Sequence, residues 1–305
     1  MSIQELLGEI PQSVFVEQHF SKLPFALSNS CLKFCELGSW AIVERILRQN
    51  KVDALVVRGG ERWSANRVPA FEEARSLHIE GYTLVIRHAE RHDEGLRSLA
   101  DGFAADFAAP VDVHLYCTPA GQFGFGWHYD AEDVFILQTQ GEKRYSLRKN
   151  TVNPWPVVEI IPDNLGYERE IMPLMNCTLT AGDWLYIPAG YWHRADSSQD
   201  SISLAVGVMS STALDLFDHL RTQLVQSLVW RQRLPVPGTA GNSRHQLLET
   251  YQELCRELSR DLTLQLENAA LLESFFESRT RMAKLEPSHV NDPPSSGPSA
   301  NAAAI

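Results

Sequence analysis

The stretch GFGWHYDAEDVFILQTQGEKRY, residues 124–145, decides how this chain is read. It sets His128 and Asp130 two positions apart at the head of an apolar, β-prone run. A strand sends alternate side chains to opposite faces, so residues i and i+2 project together. An imidazole and a carboxylate side by side are two ligands of a metal site, and a third must come from another strand. The strongest candidate is in AGDWLYIPAGYWHRADS, residues 181–197, where WLYIP reads as an apolar strand between turns and His193 opens the next strand. Two histidines and one carboxylate on one face match the facial triad of non-haem iron(II) oxygenases, which leaves coordination positions for a cosubstrate and oxygen. Of the other histidines, His19, His78, His88, His92, His219, His245 and His289 read as surface or packing residues. His114 stands apart because its strand is close in sequence to the site.

An oxygenase with this triad draws two electrons from a cosubstrate, and 2-oxoglutarate supplies them by decarboxylating to succinate. Its distal carboxylate needs a cation inside the barrel, because a buried unpaired charge is expensive. The segment QGEKRYSL offers Lys143 and Arg144 on opposite faces of one strand. With a turn at Gln140-Gly141, Lys143 is expected to face inward and Arg144 outward. Tyr116, in VHLYCTP, is placed to donate its hydroxyl to the same carboxylate. Trp127, Tyr129 and Trp192 are candidates either for shaping a substrate groove or for barrel packing.

Around this centre the texture is β. VDVHLYCTPAG, DVFILQTQG, KRYSLRK, CTLTAGDWLYIPAG and SISLAVGVM are short runs broken by Gly, Pro and Asn. Such spacing predicts an all-β barrel or sandwich rather than a parallel α/β sheet. Upstream, residues 1–50 read as helical, with EQHFSKLPFAL a short helix broken before Pro24. VDALVVRGG, residues 52–60, reads as a strand closed by a Gly-Gly turn. GYTLVIRHA is a further strand or a bridging segment, and EGLRSLADGFAADF has helical spacing. Beyond residue 212, Leu214, Phe217, Leu220, Leu224 and Leu228 recur at helical intervals, and so do Leu247, Tyr251, Leu254, Leu258 and Leu262. These two segments, separated by LPVPGTAGNS at 234–243, suit either packing on their own domain or dimerisation. The end, 285–305, has the composition of a disordered tail. The expected division is a β domain with N-terminal helices at 1–211, a helical region at 212–284, and that tail.

At VHLYCTPAGQFGFGWHYDAEDVFILQTQGEKRYSL and LTAGDWLYIPAGYWHRA the chain resembles the jumonji-C 2-oxoglutarate oxygenases, within them the ribosomal-protein oxygenase branch. The run Asp133-Val134-Phe135, with Gln138 and Gly141-x-Lys143, carries the branch-specific part of the likeness. The resemblance implies a mainly β fold, a double-stranded β-helix of the jelly-roll or cupin kind, with flanking helices and a C-terminal helical dimerisation region. It implies Fe(II) held by His128, Asp130 and His193, with 2-oxoglutarate as cosubstrate on Lys143 and assisted by Tyr116. The branch often carries Asn two residues before the tyrosine, where this chain has His114. The branch also usually continues into a winged-helix domain, where this chain has the Pro/Ser/Ala-rich segment.

Composition fixes the remaining limits. With 305 residues, 44% of them hydrophobic, the chain can bury a large core. A net charge of −11 argues against a nucleic-acid grip but allows basic protein partners. Five scattered cysteines fit a reducing compartment. No apolar run has membrane-spanning length, and MSIQELLGEIPQ lacks signal-peptide features, so the expected location is cytoplasmic. The expected activity is hydroxylation of a protein or peptide side chain, ribosomal protein among the options, in a homodimer without nucleic-acid or membrane contact. The alternatives are a small-molecule hydroxylase and a non-catalytic metal-binding cupin.

Overall fold

The computed structural model describes residues 1–65, 67–161, 172–236 and 244–284. Most of the expected 234–243 linker and all of the 285–305 tail lie outside the described residues. Among the described residues the chain divides into two compact units, the first built on Met1–Ser210 and the second on Ser211–Met282.

In the first unit the strands are β1 Phe25–Leu27, β2 Asp53–Arg58, β3 Glu61–Arg62, β4 Thr83–Arg87, β5 Val111–Thr118 and β6 Asp133–Gln140. They continue as β7 Glu142–Arg148, β8 Met175–Thr180, β9 Trp184–Ile187, β10 Trp192–Ser197 and β11 Ser201–Val208. Among the described residues they form two antiparallel sheets, one of eight strands ordered β1-β9-β6-β11-β5-β4-β2-β3 and one of three ordered β10-β7-β8. Helices α1 Ile3–Leu7, α2 Gln12–Gln18, α3 Trp40–Leu47, α4 Phe71–Ile79 and α5 Glu94–Phe107 complete the unit. Helix α5 starts at Asp93, whose carboxylate accepts from the Leu96 amide at 3.1 Å.

Both faces of the long sheet are buried, each against different material. From β5, β6, β9 and β11, residues such as Leu115, Phe135, Leu137, Trp184, Tyr186, Leu204 and Val206 join a core that includes Phe15, Leu96 and Phe103 from the helices. The alternate residues Val134, Ile136, Leu185, Ile187 and Ala205 pack instead with Tyr145, Leu147 and Leu179 of the small sheet. Burial on both sides is why DVFILQTQ reads as a nearly continuous apolar run rather than an alternating one. Each fully buried large side chain contributes about 1.5–3 kcal/mol, so the aromatic outer core is the main anchor of the sheet.

Two local readings change. PFAL does not end a helical region: Phe25–Leu27 pairs with Trp184–Tyr186 as an edge strand. Three residues are too few to show a period, and the pairing is tertiary. GYTLVIRHA is a true strand, with Leu84–Ile86 paired to β5. Asp133 ties the start of β6 to its surroundings. Its carboxylate accepts from the Tyr186 hydroxyl, from Ser210 Oγ at 3.0 Å and from Ser21 Oγ at 3.2 Å, while burial pushes its pKa upward.

In the second unit, α6 Ala213–Leu224 opens with a capping box between Thr212 and Asp215. It is followed by α7 Leu228–Arg231, α8 Arg244–Leu266 and α9 Ala269–Lys284. Leu220, Leu224 and Leu271 form its buried cluster. Among the described residues no helix is long and apolar enough to cross a membrane.

Gly141 joins β6 to β7 with φ +69°, and a Cβ there would meet the Asp200 carbonyl oxygen at 2.0 Å. Gly141→Ala therefore carries a left-handed penalty of about 1–2 kcal/mol plus a backbone clash. We expect urea unfolding to show a loss of stability above about 2 kcal/mol.

Candidate metal centre

Sequence reading put His128 and Asp130 on a regular strand, but β6 begins only at Asp133. Glycines at 121, 124 and 126 and Pro119 keep the preceding segment irregular. What places His128 is one isolated antiparallel bridge to His193. The two residues exchange backbone hydrogen bonds, His128 N–H to His193 O at 3.1 Å and His193 N–H to His128 O at 2.8 Å. A pair that exchanges both bonds lies directly opposite, so the backbone sets the two imidazoles side by side, their planes tilted by 54°. The Asp130 carbonyl is held in turn by the Gly190 amide at 2.8 Å.

The three side chains converge. Ligating atoms of His128, Asp130 and His193 all lie within 4.8 Å of one another. His193 Nε2 is 3.4 Å from Asp130 Oδ2, and the two imidazole centroids are 4.1 Å apart. Each histidine spends Nδ1 on a backbone carbonyl, His128 on Gly126 O at 2.8 Å and His193 on Tyr191 O at 3.0 Å. A carbonyl only accepts, so Nδ1 carries the proton and Nε2 keeps its lone pair for the centre. Burial, then the charge of His128, pushes the pKa of His193 down to about 4, despite Asp130 acting the other way. A neutral imidazole is the form that binds a cation. The donor set thus fits a divalent transition-metal ion.

Beside the triad lies a pocket of about 580 Å³, open mouth included, lined by Tyr116, Phe125, Lys143, Tyr145 and Ser203 among others. Lys143 faces inward as expected and is 5% exposed, while Arg144 is exposed. The Lys143 Nζ lies 3.5 Å from Ser203 Oγ and 5.4 Å from the centre of the Tyr116 ring. Among the described residues no carboxylate forms an ion pair with it. Burial lowers its pKa to about 8. A buried cation without a counter-charge is costly, and an anionic ligand would relieve that cost.

Phe125, Tyr145 and Ser203 were not singled out in the sequence. Ser203 faces Tyr116 across the β5–β11 register, a pairing that strand alternation alone does not reveal. Trp127, Tyr129 and Trp192 are not among the pocket-lining residues. Tyr129 and Trp192 are buried edge to face at 4.8 Å, which makes them packing residues. His114 does not reach the triad and meets His88 and Asp112 instead.

Residues 87–216 match the JmjC domain family model. The chain is 26% identical over 284 residues to a bifunctional lysine-specific demethylase and histidyl-hydroxylase NO66 of Drosophila yakuba, covering 83% of this chain and 41% of that protein. It is 35% identical over 168 residues to the Dictyostelium discoideum protein of the same name, covering 51% of this chain and 32% of the relative. The chain therefore spans less than half the length of these curated relatives. In fold it is similar to the Escherichia coli ribosomal oxygenase YcfD in complex with cobalt and 2-oxoglutarate. That match has a TM-score of 0.59 at 18% identity and covers 89% of this chain and 71% of the other.

The buried Lys143 amine makes stability depend on pH. Its folded pKa, about 8, lies below the ordinary 10.5, so the charged amine costs stability in full below pH 8. That cost fades as pH rises from 8 to 10.5, where both states are neutral. Without ligand, Lys143→Met should be more stable than the parent by about 1–3 kcal/mol at pH 7. The difference should shrink across that alkaline window in chemical denaturation.

Proposed function

For a chain that carries a JmjC domain, we propose the activity of an iron(II)- and 2-oxoglutarate-dependent hydroxylase acting on a side chain of a protein or peptide. The observation that carries this reading is the buried Lys143 ammonium, unpaired with any carboxylate among the described residues, beside three convergent metal ligands in one pocket. A pure metal binder has no need of that amine. In this reading His128, Asp130 and His193 hold the iron through His128 Nε2, His193 Nε2 and an Asp130 carboxylate oxygen. When bound, the iron and 2-oxoglutarate supply the oxidising chemistry that converts an unactivated C–H bond into an alcohol, releasing succinate and carbon dioxide.

The chain's own residues do the positioning. Lys143 takes the distal carboxylate as a charge-assisted pair, with the Ser203 hydroxyl beside it and Tyr116 assisting from the neighbouring strand. Val134, Ile136 and Ala205 wall the pocket and keep water from the reacting centre. Gly126 and Tyr191 carbonyls hold both imidazoles in the coordinating tautomer. The protein-substrate assignment is supported by the relatives' names and by the net charge of −11, which favours basic partners such as ribosomal proteins. A cytoplasmic location fits five cysteines that are all free.

We read the helical unit as a homodimer element. Its stripe leaves Leu214 60% exposed and Phe276 62% exposed, with Leu228 and Leu272 also outward. Apolar residues at this density on one small unit mark an interface.

The activity test uses purified protein with iron(II), ascorbate, 2-oxoglutarate and basic ribosomal peptides. We expect succinate formation and a peptide gaining the mass of one oxygen, both absent in Asp130→Ala. Lys143→Ala should keep metal binding but raise the KM for 2-oxoglutarate by about 100-fold or more, the cost of removing one partner of a buried pair. Succinate and peptide mass unchanged from the Asp130→Ala control would leave the metal-binding cupin as the better account. For the dimer, light scattering should give twice the chain mass for the parent and a monomer for Leu214→Glu with Phe276→Glu.

A further inference from the structure

A second convergence of ligand atoms lies outside the pocket. His88, Asp112 and His114 place one ligating atom each within 4.8 Å of the others, the same closeness as the triad. His114 Nε2 is 3.6 Å and His88 Nδ1 is 3.7 Å from Asp112 Oδ2, and the two rings meet edge to face at 5.6 Å. These separations exceed hydrogen-bond length. They approach the roughly 3.3 Å edge of a tetrahedron with metal–ligand bonds of about 2.0–2.1 Å. The corresponding distance in the first triad is 3.4 Å.

The polar atoms here are left waiting. His88 Nδ1, Asp112 Oδ1 and His114 Nε2 are buried without a hydrogen-bond partner among the described residues. The His114 side chain is only 9% exposed. Orphaned buried donors and acceptors cost about 1–3 kcal/mol each, so a set of them in one place calls for a ligand. Glu90 Oε1 stands 3.8 Å from His88 Nδ1, but it also lies 3.6 Å from Arg91 Nε, so it is a neighbour of the set rather than a free ligand.

The backbone is shaped around the same point. His88 sits in the left-handed region at φ 49°, ψ 42°, a conformation that costs a non-glycine residue of order 1 kcal/mol. That turn swings its ring back onto β5 as β4 ends. Asp112 and His114 share a face of β5, and opposite them in the register β11 has Gly207 and Ala205. A Cβ on Gly207 would meet Glu132 Oε2 at 2.2 Å and Asp112 Oδ1 at 2.8 Å, so two carboxylates crowd this point. Glycine there gives both their room.

We propose that His88, Asp112 and His114 form a second site for a divalent transition-metal ion such as zinc, tying the turn after β4 to β5. Two imidazoles and a carboxylate are borderline ligands that suit zinc, cobalt or nickel better than magnesium or calcium. The role is structural: the ion joins a strained turn to a central strand, and its binding energy adds to folding stability.

The test counts metal in the full chain. Protein stripped with a chelator, re-equilibrated with zinc and desalted is assayed by mass spectrometry for metal per chain. The parent should hold about two equivalents and His128→Ala with His193→Ala about one. Adding Asp112→Asn to that double variant should remove the last. In the same double variant, zinc should raise Tm by several degrees, and cobalt(II) should give a visible absorption band; both should vanish with Asp112→Asn. If the double variant binds no zinc and its Tm ignores zinc, the cluster is an ion pair only and the proposal falls. If the parent holds one equivalent that survives loss of His128 and His193 but not of Asp112, the proposal stands and the first site fails instead.

Discussion

A β-strand can give only every second side chain to one face, and here both faces of the long sheet are buried. The period of two therefore sorts each strand into a structural row and a chemical row. On β5 the structural row is Val111, Val113, Leu115 and Cys117, all in the outer core. The chemical row is Asp112, His114, Tyr116 and Thr118. Facing it on β11 are Ser203, Ala205 and Gly207, paired with Tyr116, His114 and Asp112. Small residues opposite large polar ones leave volume where functional groups need it. A shift of one residue in the register would send the histidine and carboxylate into the aromatic core and the leucines into the pocket.

That sorting explains how the protein tolerates unpaired polar groups inside. Lys143 costs stability where it sits, and Asp112 Oδ1 is left without a hydrogen-bond partner although His114 stands beside the carboxylate. The outer face supplies the compensation through Phe15, Phe103, Phe135, Trp184 and Tyr186, whose rings pack at 4.9–6.3 Å from one another. The chemistry sits on the side where small residues recur. Stability and reactivity thus use opposite faces of the same strands.

The sequence made legible whatever depends on local period and on ligand chemistry. Helix α5 was readable from the helical spacing of its apolar residues, and the structure adds the Asp93 cap at its start. Lys143 was placed inward and Arg144 outward by alternation after the Gly141 turn. The convergence of His193 with His128 and Asp130 was readable from donor types, although the strand expected around His128 is an irregular segment held by one bridge. What escaped were features fixed only by pairing between distant strands. Ser203 beside Lys143 needs the β5–β11 register. Phe25–Leu27 becomes a strand because β9 is there to receive it. His88 read as a surface or packing histidine, since nothing in GYTLVIRHA signals that a left-handed turn brings its ring to His114.

His114 shows how one position can change the meaning of its row. An imidazole brings a basic nitrogen beside Asp112, and it is the His88 turn that converts a pair into three converging ligands. None of the three alone would justify the strain at His88 or the unpartnered oxygen of Asp112. A bound cation would lower the free energy of all three groups at once, where an imidazolium at His114 would serve Asp112 alone.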